Sequence, residues 1–163
     1  MNCIDQTPFD RWRIDAANES EGNAQGRWGG FIDNVDCFDA ALFGISPREA
    51  EMMDPQERLF LQTVWLTFED AGYNKSRLAR LQERLGAGIG VFVGCMNKQY
   101  PFVTNDQSLS ATLSMSSYWS IANRVSHYFD LRGPSLAIDN ACSSSLTAIH
   151  MACQSILNGE ASM

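Results

Sequence analysis

An α/β fold is what this sequence predicts, on three observations. Two short runs, residues 88–94 (Gly-Ile-Gly-Val-Phe-Val-Gly) and 135–139 (Ser-Leu-Ala-Ile-Asp), are apolar, β-prone and bounded by turn residues, as buried strands are. Helical patterns precede, separate and follow them. No internal repeat or low-complexity tract interrupts the mixture, which is the element order of an α/β domain.

The first thirty residues are polar and glycine-rich, with Glu19-Ser20-Glu21-Gly22-Asn23 followed by Gly26-Arg27-Trp28-Gly29-Gly30. They read as surface loop, with Trp12 and Trp28 as candidate anchors. No strong strand begins the chain, so the opening strand usual in an α/β domain is expected to be lacking. Two helix starts follow. Ser46-Pro47-Arg48-Glu49 offers an N-cap serine, a proline at the first helical position and a glutamate at the third; Asp54-Pro55-Gln56-Glu57 repeats the arrangement with an aspartate cap. The second helix carries Leu59, Phe60, Leu61, Val64, Trp65, Leu66 and Phe68 before Gly72 closes it. Being apolar nearly all round, it is expected to be deeply buried.

Residues 88–94 read as a central strand. Residues 100–116 are rich in serine and threonine and read as loop, and 118–128 as helix, with Gly133-Pro134 stopping the chain sharply. The second strand, 135–139, leads into a helix from Ser143, whose Leu146, Ile149, Ala152, Cys153 and Ile156 share one face until Asn158-Gly159.

The chain has 163 residues, enough for one domain with its own core. Its composition, 45% hydrophobic and 19% charged, is that of an ordinary globular protein. No apolar run reaches the length of roughly eighteen residues that a membrane helix needs, and Met1-Asn2-Cys3-Ile4-Asp5 does not begin a secretory signal. A cytoplasmic protein without membrane association is expected. The net charge of −7 argues against nucleic-acid binding and identifies no partner. Five cysteines, at 3, 37, 95, 142 and 153, are odd in number and irregularly spaced, unlike a disulfide framework. There is no CxxC pair and no histidine at zinc-ligand spacing, so no metal site is expected. Most of the cysteines are expected to be buried small hydrophobes.

Cys142 is different. In Asp139-Asn140-Ala141-Cys142-Ser143-Ser144-Ser145-Leu146 it stands where a strand turns into a helix. A helix N-terminus presents unpaired N–H groups and the positive end of a dipole, which stabilise a thiolate. A sharp turn pushes the sulfur outward, small neighbours (Ala141, Ser143 to Ser145) leave room beside it, and the backbone N–H of Cys142 can face a developing oxyanion. The arrangement is that of a nucleophile elbow. The hydrolase version wants small residues two positions either side, and Asn140 occupies the first of those places, which weakens an α/β-hydrolase reading. On local physics alone, a structural cysteine at a helix start is the alternative.

The segment from Gly133-Pro134-Ser135 through Asp139-Asn140-Ala141-Cys142-Ser143-Ser144-Ser145-Leu146 closely resembles the active-site segment of the β-ketoacyl synthases of modular polyketide synthases. Phe43-Gly44-Ile45-Ser46-Pro47-Arg48-Glu49-Ala50 with Asp54-Pro55-Gln56-Glu57-Arg58 resembles a second signature. Glu69-Asp70-Ala71-Gly72-Tyr73, Gly90-Val91-Phe92-Val93-Gly94, Gly29-Gly30-Phe31-Ile32 and Ser120-Ile121-Ala122-Asn123-Arg124-Val125-Ser126 complete the set, in the family's order. One departure is Asn140, where the family usually has threonine. Gly-Gly-Phe-Ile and Leu146-Thr147-Ala148-Ile149-His150 resemble synthases whose acyltransferase is a separate protein.

The resemblance implies a thiolase-like fold, a homodimeric parent with residues 135–139 near the two-fold axis, and neighbouring synthase domains. It implies no cofactor bound directly. An acyl carrier protein would present the substrates on phosphopantetheine. Cys142 would accept an acyl chain as a thioester, and a carbanion formed by decarboxylation of carrier-bound malonate would then attack it. The family supplies two histidines and a lysine for this, in segments beyond the cysteine that this chain does not reach. His150 lies eight residues past Cys142, about 12 Å along a helix axis, beyond the roughly 3 Å of a nucleophile–base contact. His127, beside Val125, Tyr128 and Phe129, reads as a packing residue. Residues 1–163 are therefore expected to be a partial domain, its N-terminal half, lacking the opening strand and the C-terminal half. The competing readings are a self-sufficient cysteine acyltransferase or hydrolase, which needs a base near Cys142, and a non-catalytic truncated interaction module.

Overall fold

The computed structural model describes residues 4–6, 28–97, 100 and 117–163. The chain divides into two units, Met1–Cys37 and Phe38–Met163. In the first, β1 (Asp5–Gln6) pairs antiparallel with β2 (Trp28–Gly29). Trp28 is exposed there, unlike a buried anchor; Trp12 and most of the 100–116 stretch lie outside the described residues.

The second unit runs α1 (Pro47–Met52), α2 (Pro55–Asp70), α3 (Lys75–Leu85), β3 (Val91–Gly94), α4 (Tyr118–Phe129), β4 (Ser135–Ile138) and α5 (Ser144–Leu157). Both expected caps form. Ser46 Oγ accepts from the Glu49 N–H at 3.2 Å and Asp54 Oδ1 from the Gln56 N–H at 2.9 Å. α2 ends in a left-handed Gly72 (φ +75°), with the Tyr73 N–H bonded to the Phe68 carbonyl and the Gly72 N–H to that of Glu69. The sequence reading did not include α3. Its signals are Asn74, whose side chain caps the Arg77 N–H, and leucines at 78, 81 and 85. Buried Gln82 ties α3 to the segments that lead into the two strands: its amide donates to the Asp130 carbonyl and accepts from the Ile89 and Arg132 N–H groups. α4 covers the expected residues 118–128 and one more, Phe129, and is closed by Asp130 in the left-handed conformation, ahead of Gly133-Pro134.

β3 and β4 are parallel, with Val91 opposite Ser135 and Gly94 opposite Ile138. Among the described residues β3 pairs with β4 alone, in a two-stranded sheet, and does not have the two neighbours of the expected central strand; just before it, the Gly90 N–H donates to the Met163 carbonyl and the Ser162 N–H to that of Gly88. The side chains of β3 alternate. Val91, Val93 and Cys95 enter a core with Phe43, Leu61, Leu78, Ile89 and the α4 residues Ile121, Ala122, Val125 and Phe129. The Cβ direction of Gly94 points instead at the backbone of Ser144 and Ser145 in α5. Helices α2 to α4 therefore lie on one face of the sheet and α5 on the other.

Burial departs from expectation in α2, in β4 and at the cysteines, and the apolar face of α5 proves to be exposed. α2 is half-buried: Leu61 is enclosed but Leu66 faces outward, because residues that encircle a helix cannot all reach one core. β4 is only partly covered, with Leu136 exposed. The apolar face of α5 points away from the sheet: Leu146, Ile149, Cys153 and Ile156 are exposed, while Ser144, Ala148 and Ser155 are buried against it. The reason is the approach at Gly94, where a Cβ would meet Ser145 N at 2.5 Å and the Ser144 carbonyl carbon at 2.6 Å. A helix this close to a strand has room between them only for small side chains. Likewise, of the four described cysteines only Cys95 is buried.

Beneath α4 lies a buried ionic cluster. Glu57, almost wholly enclosed, accepts from Arg124 Nε at 2.5 Å and from Ser120 Oγ at 3.1 Å. Arg124 also donates through Nη1 to Glu49, at 2.7 Å, so α1, α2 and α4 are tied together. Burial by itself pushes the Arg124 guanidinium down, but the hydrogen bonds and charges of Glu57 and then Glu49 outweigh it, and its pKa stands above the ordinary arginine value. A group raised in this way contributes its stability below the unfolded value and loses it only at still higher pH, so Arg124 remains charged wherever the fold is stable.

Two predictions follow from these contacts. Arg124→Met strands a buried carboxylate and should cost about 3 kcal/mol, whereas Glu49→Gln, at an exposed partner, should cost at most about 1 kcal/mol; urea midpoints at constant slope measure both. Gly94→Ala drives a Cβ into backbone that cannot rotate away and should cost about 2 kcal/mol, with the loss concentrated at the start of α5 in hydrogen-exchange mapping.

Candidate functional site

The turn from β4 into α5 is built from short-range hydrogen bonds. Asp139 Oδ1 accepts from the Ala141 N–H at 3.1 Å, forming an Asx turn. Ser143 Oγ donates to the Asn140 carbonyl at 2.8 Å instead of capping the helix it precedes. Ser144 Oγ accepts from the Asn140 N–H at 2.8 Å and donates to the Ala141 carbonyl at 2.7 Å. The side-chain amide of Asn140, the residue that departs from the family's threonine, donates to Thr147 Oγ1 on α5 at 3.4 Å.

Within this web Ala141 has φ +49°, a left-handed conformation costing a residue with a Cβ about 1–2 kcal/mol. Cys142 comes next, exposed, one residue before the N-cap Ser143 of α5. The expected strand–cysteine–helix junction is thus present. Sequence reasoning did not single out Ser144. Its signal is a serine four residues after Asn140, close enough in a tight turn to bond back to it.

The two histidines are not brought to the sulfur. His127 is on α4, across the sheet, and is exposed rather than packed: Val125 and Phe129 turn into the core, and a residue two positions from each on a helix faces elsewhere. His150 is exposed two turns along α5. Among the described residues no hydrogen bond joins either imidazole to Cys142, and no group of three or more side chains could hold a metal ion. A cavity of about 410 Å³, lined by Trp65, Phe68, Tyr73, Lys75, Tyr128 and Phe129, lies on the α4 side, away from Cys142. No helix among the described residues is long and apolar enough to cross a membrane.

A family model described as the N-terminal domain of β-ketoacyl synthases matches residues 1–163. The chain is 50% identical over 169 residues to the polyketide synthase PksL of Bacillus subtilis strain 168, covering 98% of this chain and 4% of that protein. It is 48% identical over 167 residues to the polyketide synthase ThaG of Burkholderia thailandensis, covering 98% of this chain and 3% of that protein. Among solved structures, the oxazolomycin ketosynthase domain OzmH KS7 of Streptomyces albus matches with a TM-score of 0.76 and 42% identity, over 98% of this chain and 28% of that one. The ketosynthase from module 6 of the bacillaene synthase of Bacillus subtilis 168 matches with a TM-score of 0.72 and 35% identity, over 98% of this chain and 24% of that one. The chain thus spans a small share of the synthases it matches. It belongs to the β-ketoacyl synthase family, within the N-terminal domain, and has the thiolase-like α/β fold of polyketide synthase ketosynthases.

Proposed function

We propose that Cys142 is the acyl-accepting nucleophile of a polyketide ketosynthase, and that residues 1–163 are a partial domain carrying the acylation half of its site. The observation that carries this reading is the exposed thiol on a left-handed turn at the amino-terminal end of α5. The acyl chain arrives as a thioester on the phosphopantetheine arm of an acyl carrier protein. The Cys142 sulfur attacks its carbonyl carbon, the tetrahedral oxyanion faces backbone N–H groups of the turn, and collapse breaks the bond to the pantetheine sulfur, which leaves and takes a proton. In the parent enzyme carrier-bound malonate then loses carbon dioxide, and the carbanion attacks the acyl carbonyl. A carbon–carbon bond forms and the cysteine thiolate departs.

Only the first step lies within reach of this chain's residues. Neither His127 nor His150 can polarise a malonyl group held at Cys142, given their positions across the sheet and two turns down α5. The remainder of the parent domain is the natural cover for Leu146, Ile149, Ile156 and Leu157. The parent is a cytoplasmic homodimer paired near β4, whose half-exposed Leu136 suits such a contact, and it works beside other synthase domains. The Gly29-Gly30-Phe31-Ile32 and Leu146-Thr147-Ala148-Ile149-His150 signatures favour a synthase served by a separate acyltransferase.

Limiting iodoacetamide with peptide mapping tests the assignment against thiols of equal access. Cys142 should be labelled before Cys37 and Cys153, which are also exposed, and preference for either of those overturns the reading. Offered an acyl thioester and malonyl-loaded carrier protein, the 163-residue chain should give acyl-Cys142 but no β-ketoacyl product above a Cys142→Ala background, as read by mass spectrometry.

A further inference from the structure

Ser144 is held inside the nucleophile turn rather than on its rim. It is buried, while Ala141, Cys142, Ser143 and Ser145 around it are exposed. Its hydroxyl is used in both directions, accepting from the Asn140 N–H and donating to the Ala141 carbonyl. The Ser144 N–H donates to that same carbonyl at 3.1 Å, so one residue grips the Ala141 oxygen twice.

The Ala141 carbonyl and the Cys142 N–H belong to one peptide unit, and a peptide unit is planar and trans. Whatever fixes the oxygen also fixes the direction of the N–H at the opposite end. Ala141 is moreover in a left-handed conformation, which persists in a residue with a Cβ only when its surroundings over-determine it. Gly94 holds the Ser144 backbone against β3, so the clamp is referred to the sheet and not to a mobile surface.

We propose that Ser144 is a positioning residue for acyl transfer: its hydroxyl fixes the Ala141–Cys142 peptide plane and thereby aims the Cys142 N–H at the oxyanion of the acylation step. The proposal rests on the reading of Cys142 as acyl acceptor. Its signature is a difference between two reactions of one sulfur. Acylation passes through a tetrahedral oxyanion and needs an aimed N–H, whereas displacement of iodide from iodoacetamide forms no such oxyanion.

The experiment measures both rates at Cys142 in the 163-residue chain, using a soluble acyl thioester and iodoacetamide, with mass spectrometry of the labelled peptide. In Ser144→Ala the ratio of acylation to alkylation should fall about tenfold or more, a part of the hundredfold that loss of an oxyanion donor costs. Ser155→Ala is the control. It deletes a buried hydroxyl on the same helix that has no partner among the described residues, and it should leave the ratio unchanged. Ser144→Thr and Ser144→Val have equal bulk and differ in the hydroxyl, so the first should retain a higher ratio than the second. Buried Cys95 reports folding: if it becomes labelled in Ser144→Ala, the threonine–valine pair decides. An unchanged ratio in Ser144→Ala, or equal ratios in the pair, overturns the clamp while leaving Cys142 as acceptor. Failure of the unaltered chain to acylate at Cys142 removes the parent reading and the clamp with it.

Discussion

The close approach of α5 to the end of β3 is the contact on which the site depends. At Gly94 the strand has no side chain, and the backbone of Ser144 and Ser145 occupies the space a Cβ would need. Because helix and strand touch there, the face of α5 against the sheet is made of Ser144, Ala148 and Ser155. The chain must then climb from the end of β4 to the start of α5 within residues 139–143. It does so with a left-handed Ala141 and with serine and aspartate side chains bonded to nearby backbone. A longer connection would leave the sulfur on a loop with no fixed direction.

The opposite face of the sheet does different work. There the large apolar side chains of α2, α3 and α4 meet Val91 and Val93, and the enclosed carboxylate of Glu57 is matched by Arg124 and Ser120. Such a pair adds little over a well-packed apolar core of equal volume, but it penalises any arrangement in which the partners separate. Linking α1, α2 and α4, it sets how those helices sit on the strands and hence how firmly β3 and β4 are backed. The rigidity under the turn thus comes from the face that holds none of its polar groups.

Separation of the two faces also bears on chemistry. Cys142 stands just before α5, His127 is on α4 and His150 is displaced along α5, so neither histidine is brought to the sulfur. Local backbone, not a partner side chain, is what the turn offers a reacting carbonyl. That suits a step limited by aiming a thiol and stabilising an oxyanion more than one needing proton transfer. The exposed strip of Leu146, Ile149, Ile156 and Leu157 on the same helix is consistent with a chain that matches 24% and 28% of the solved ketosynthases.

What the sequence by itself determined is whatever is settled by neighbours along the chain. Ser46-Pro47 and Asp54-Pro55 begin helices because their side chains cap N–H groups two or three residues on, and Gly72 ends one because it alone accepts a positive φ cheaply. The two strands and the cysteine between strand and helix were legible for the same reason. Tertiary structure decided which faces are covered. The periodicity of α5 marks an apolar stripe correctly but carries no information about the 2.5 Å approach at Gly94 that turns the stripe outward. α3 is hard to read in the sequence because its four basic residues and low apolar content hide a helix with two buried groups, Leu78 and Gln82, the second of which bonds to Asp130 and Arg132 far along the chain. The role of Ser144 was equally hidden, since a serine beside two others becomes distinct only when the fold buries one of the three and leaves it both a donor and an acceptor to satisfy.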